Sequence, residues 1–178
     1  MVFFARKCGS ANWAGITEET PEDLTFPADV LADILDVANE VSVWQVEDHD
    51  GSEVEILAAA LHSPNAGNLS DMTFRFISKW RLDQLGLKMK QTMGDSVDNK
   101  LKGKHWVIEI NTAGEAIKLA KAFIDRPERS FSQADVMRRF AKSVQEKRIS
   151  TTRISAELWN KLIDGRYIQV VTEQKSGS

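Results

Sequence analysis

Residues 105–124 read HWVIEINTAGEAIKLAKAFI. The first six, rich in Val, Ile and Trp, predict a β-strand. Thr112 and Glu115 then stand three residues apart, the spacing of a capping box, in which a hydroxyl and a carboxylate each satisfy a free backbone N–H at a helix start. Ala113, Ala116, Ile117, Ala120, Phe123 and Ile124 follow at helical spacing. A strand, a tight turn and a helix with one apolar face together describe a helix laid on a sheet.

The same alternation extends upstream. Residues 2–7 form a β-like run, and residues 8–25, with Gly9, Gly15 and Pro21, read as irregular. Pro27 opens a helix, at a position where its missing N–H costs nothing. Val30, Leu31, Ile34, Leu35 and Ala38 make the buried stripe of that helix. Residues 41–46 read as a strand, although Trp44 and Val46 fit its alternation less cleanly than Val41 and Val43. A turn at His49-Asp50-Gly51 leads to a helix over 53–61, stopped by the segment 63–67. A strand over 72–77 has Met72, Phe74 and Phe76 on one face. A helix over 81–93 is expected to end at Gly94, and residues 95–104 read as a polar loop. Residues 1–125 thus predict the body of an α+β protein, one sheet with helices packed on it. Pro127 marks the expected boundary to a small helical extension over 126–178.

In that extension Ser132, with Asp135 three residues on, caps a helix through Val136, Met137, Phe140 and Val144. A further helix over 152–164 uses Ile154, Leu158, Leu162 and Ile163, with Gly165 as a left-handed stop and a β-pattern over 166–171. The stretches FSQADVMRRF (131–140) and ISTTRISAELWNKLIDGRYI (149–168) resemble a winged-helix module: a capped helix, a turn, a second helix and a Leu-x-x-Gly-x-aromatic-Ile exit toward a strand. The resemblance implies a module that docks on nucleic acid or on another protein. It departs from that family in leaving only seven residues after Val171, too few for a full wing hairpin.

The charge is unevenly laid out. Of 178 residues, 1–70 carry 2 Lys+Arg and 13 Asp+Glu, while 71–124 and 125–178 each carry a net charge of +4. Such a gradient steers association rather than folding. Arg138, Arg139, Lys142, Lys147, Arg148 and Arg153, with the hydroxyls of Thr151 and Thr152, form the candidate contact set for nucleic acid or an acidic protein. Asp29, Asp33, Asp36 and Glu40, spaced by four, three and four, predict one exposed acidic helix face able to dock on a basic surface.

Complete catalytic motifs are absent. His49, His62 and His105 lack partners at recognisable spacing, and no glycine pattern matches a phosphate or dinucleotide loop. Cys8 is the lone cysteine, so no internal disulfide forms, and its reducing context suggests the cytoplasm. The N-terminus runs apolar then basic, the reverse of a signal peptide. No apolar run approaches the ~20 residues of a membrane span. Trp44 and Trp106 are expected in the core, and Trp13, in an irregular stretch, is a candidate exposed anchor. The sequence therefore predicts a non-enzymatic interaction protein, an adaptor or accessory subunit with a protein partner or nucleic acid, and with no cofactor, metal or membrane contact. Two rival readings are a DNA-binding regulator and an enzyme whose site is assembled from scattered His, Asp and Glu residues.

Overall fold

Phe3, Phe4, Ala5 and Cys8 are all buried, so the strand they form, β1 (Phe3–Cys8), has little solvent face. In the computed structural model, which describes residues 1–9, 13–23, 25–34, 39–62, 66–124 and 127–168, β1 lies inside a six-stranded sheet. The elements after it are α1 (Ala28–Ile34), β2 (Glu40–Val46), α2 (Ser52–Ala60), β3 (Met72–Ser78), α3 (Lys79–Leu85), β4 (Met89–Gln91), α4 (Asn99–Lys102), β5 (His105–Glu109), α5 (Ala113–Ala122), β6 (Arg129–Phe131), α6 (Gln133–Gln145) and α7 (Ala156–Asp164). The strand order is β4-β5-β2-β1-β3-β6, and every pairing is antiparallel. The fold is α+β, as the sequence predicts.

Helices cover both faces of the sheet. Phe3, Ala5, Trp44, Val46, Phe74 and Phe76 pack with residues of α2, α6 and α7 on the first face. Phe4, Val41, Val43, Ile77 and Ile108 pack with α1, α3, α5 and the segment bearing Trp13, Ile16 and Phe26 on the second. This resolves the untidy pattern of residues 41–46. Alternate side chains point to opposite faces of a strand, and here both faces are apolar, so Val41 and Val43 serve one core while Trp44 and Val46 serve the other.

The capping boxes form as their spacing predicts, Thr112 with Glu115 at α5 and Ser132 with Asp135 at α6. Several expectations are corrected. The helix expected over 81–93 ends at Gly86, whose φ of 66° closes α3, and the chain then enters β4. The polar loop over 95–104 holds α4 and buries Ser96, Val97 and Asp98. Just past the proline at 127 the chain forms β6, which pairs with β3, and α6 and α7 share the first-face core with β1 and β3. Gly165 keeps an ordinary helical φ of −75°, and Arg166 takes the left-handed turn instead, at φ 58°. Of the β-pattern over 166–171, the part from 169 lies outside the described residues. No described helix is long and apolar enough to cross a membrane.

Candidate partner-binding turn and pocket

Asp135, as part of the α6 cap, also sets the fate of the first two candidate arginines. Its carboxyl is held down to about 2 by the Ser132 hydroxyl and by Arg138, which donates to it. Arg139 donates to Glu55 at 3.1 Å and lies over the Phe131 ring at 4.7 Å. Lys142 is exposed, 3.8 Å from Glu146. Arg139 and Lys142 line α6 on the side of α2, Arg138 is exposed, and all three are engaged within the molecule.

The turn after α6 is built differently. Arg148 donates through Nε and Nη2 to one oxygen of Asp98, at 3.0 and 2.7 Å. Asp98 is 1% exposed, and its other oxygen accepts the N–H of Lys100 at the start of α4. A β-bridge between Asp98 and Ile149 fastens the two segments. Arg153 donates to the carbonyl of Val97 at 3.2 Å and to the amide oxygen of Asn99 at 3.3 Å. Lys147 sits at φ 57°, exposed, and Thr151 and Thr152 are exposed beside the Ser150 hydroxyl. The docked turn thus sets Lys147 and Arg153 alongside the segment carrying Lys100. No carboxylate pairs with any of these three among the described residues. Lys100 could not be found from sequence, because only the fold brings α4 to this turn.

The acidic set does not make one face among the described residues. Asp29 is exposed near the start of α1. Asp33 turns inward, accepting the N–H of Gly9 at 2.9 Å and the indole N–H of Trp13 at 2.7 Å. Asp36 lies outside the described residues. Glu40 opens β2, after Asn39 at φ 55°, and pairs with Lys90 at 2.7 Å. Trp13 is buried and Arg75 stacks on it at 4.9 Å, so the exposed anchor expected there is absent; Trp80, 65% exposed, takes that description instead.

The sheet opens at its centre. The β1–β2 ladder pairs Phe3 with Val46, Phe4 with Gln45 and Ala5 with Trp44, then stops. Beyond that point β1 stays paired to β3 as far as Cys8, and β2 to β5 as far as Glu40. A cavity of about 520 Å³ lies at this split, lined by Arg6, Lys7, Ser42 and Trp44 of the two strands with Leu61, His62, Asp95 and His105. That volume is in the ~300–1,000 Å³ range of small-molecule sites. Arg6 crosses the gap, donating to the carbonyls of Ser42 at 3.2 Å and of Asp33.

Two of the three histidines meet here. The His62 Nε2–H faces the Ala58 carbonyl at 2.9 Å, and its ring stands edge-on to Phe140. Burial pulls its pKa down to about 4 against that hydrogen bond, with Lys7 adding to the shift. His105 packs on Trp44 at a centroid distance of 4.8 Å, and its Nδ1 is 2.7 Å from the Thr92 hydroxyl. Burial lowers its pKa as well, and that of Lys7. His49 lies elsewhere, between Asp48 and Asp50 and against Phe3. In the sequence the histidines stand singly, and Lys7 and Ser42 carry no signal, since the split that exposes them is a property of strand order. Among the described residues no three His, Cys, Asp or Glu side chains converge on a metal site. Compared with known proteins, the chain matches no family model, no curated protein and no solved structure.

Proposed function

We propose that this is a non-enzymatic interaction protein, an adaptor or accessory subunit, that engages an acidic macromolecular surface through the turn at 147–153 together with Lys100. The observation that carries the reading is the bond of part-buried Arg148 to buried Asp98, which docks the turn on α4 while leaving Lys100, Lys147 and Arg153 without a carboxylate partner among the described residues. A pre-ordered cationic turn loses little side-chain and loop entropy on binding, and Thr151 and Thr152 add hydroxyl donors suited to phosphate or carboxylate oxygens. The resemblance of the sequence over 131–140 and 149–168 to a winged-helix module points to the same surface. Asp33, used internally, has no part in it. Cytoplasmic residence belongs to the same proposal, in keeping with one buried thiol.

The test is capture of the full chain with its partners, with and without nuclease, beside direct titration with duplex DNA. The Lys100→Glu/Lys147→Glu/Arg153→Glu variant is expected to lose the partner, and Arg138→Glu to keep it. If the partner is nucleic acid, affinity should fall steeply between about 50 and 200 mM salt; direct sequence-selective duplex binding would favour the regulator. Unchanged capture by the triple variant overturns the proposal.

A further inference from the structure

The ladder logic of the split says which atoms face the cavity. Gln45 gives its backbone N–H to Lys104 on the β5 side. Antiparallel residues alternate in the direction of their hydrogen bonds, so the N–H and C=O of Ser42 are aimed at β1. Lys79 gives its N–H to Val2 on the β3 side, so the corresponding groups of Lys7 are aimed at β2. In an unbroken sheet Lys7 and Ser42 would pair with each other, but the ladder ends two residue pairs earlier, at Ala5–Trp44. Arg6 takes up the Ser42 carbonyl. The Lys7 and Ser42 N–H groups and the Lys7 carbonyl therefore stay at the opening, while the Ser42 carbonyl is taken up. Beside them stands the Lys7 ammonium, which has no partner among the described residues.

The walls are apolar and planar. Trp44 and His105 pack at a tilt of 57° on one side, and Gly94 lets them approach: a Cβ there would lie 2.3 Å from Trp44 Cη2 and 2.6 Å from His105 Cβ. Leu61 supplies the aliphatic wall, and Asp95 is exposed at the lining.

We propose that this strand-split cavity is a binding site for a small organic anion, its carboxylate or phosphate oxygens held by the Lys7 ammonium and the Lys7 and Ser42 backbone N–H groups, and its apolar or planar body lying against Trp44 and Leu61. Charge-assisted hydrogen bonds to an ammonium and backbone donors are the stronger kind, and central-strand N–H groups left out of a ladder need an acceptor. Asp95 repels such a ligand and limits its affinity. The site is separate from the turn at 147–153.

The full chain is titrated with benzoate and with phenyl phosphate, and with benzyl alcohol and benzylamine as uncharged and cationic controls, while the imidazole resonances of His62 and His105 and the indole resonance of Trp44 are followed by NMR. The anions should shift these signals saturably and the controls should not; the tighter of the two anions identifies the headgroup. Lys7→Gln, at a half-exposed position, should weaken binding about tenfold or more. Asp95→Asn should strengthen it about twofold. A general loss of folding would move both variants the same way. The triple turn variant should bind the anions as the parent does, which separates this site from the partner surface. An equal response to benzyl alcohol, weakening by Asp95→Asn, or no saturable shift up to about 10 mM, tenfold above a 1 mM dissociation constant worth about −4.1 kcal/mol, overturns the proposal.

Discussion

His62 lies two residues past the end of α2, with its ring N–H on the carbonyl four residues back, at Ala58. A histidine at a helix end suggests a cation that meets the negative end of the dipole, and its place there is legible in the sequence. Its charge state is not, because Phe140 and Lys7 reach it only through the fold. Burial holds the folded pKa near 4 while the unfolded chain titrates near ~6.5. Between those values the unfolded chain takes up a proton that the folded one refuses. Stability is therefore fully present above pH ~6.5 and is lost as pH falls toward 4. Between pH 7.5 and 5 the parent protein should lose about 2 kcal/mol more than His62→Gln does, as read from urea midpoints. Equal losses would mean that the ring takes up its proton as readily in the fold as in the unfolded chain. Cys8 is a simpler case: burial, then Asp33, pushes its thiol up to about 12. That is the behaviour expected of a lone interior cysteine and not of a nucleophile.

Among the elements, those with strong local signals were readable: the two boxed helices, and the strands β1, β2, β3 and β5. The missed ones, β4, α4 and β6, are three or four residues long. Segments so short carry no period, and their pairing is decided by neighbours distant in sequence. The turn after α6 shows the same division. Its basic residues were evident, whereas the bond that shapes it joins Arg148 to a buried aspartate 50 residues away. Removing one member of a buried pair strands the other charge. Arg148→Ala should cost about 3–5 kcal/mol, and Arg148→Ala/Asp98→Ala clearly less than the sum of the single changes. Additive denaturation energies would show that the pair does not hold the turn.

At the level of the whole molecule, the charge gradient along the chain is partly folded into ion pairs. Glu22 meets Lys121, Glu40 meets Lys90, Glu53 meets Lys104, and Glu55 meets Arg129 and Arg139. The tally by segment was legible, and the pairing was not, because it depends on strand order. The two cores share one sheet, and neighbouring residues of β3 enter opposite cores, Phe76 the first and Ile77 the second. Phe76→Ala should cost about 3–5 kcal/mol and Ile77→Ala about 2–5 kcal/mol. Both should displace one common thermal transition; two separated transitions in either variant would mean that the layers melt independently. The inner place of β1 has a further consequence, during synthesis. This strand leaves the ribosome before either neighbour exists, and its β3 partners extend to Ser78. At about 5–20 residues per second, the growing polypeptide carries Phe3 and Phe4 unshielded for several seconds. The sheet cannot close around β1 until β3 has been made, so its first strand waits with both apolar faces open.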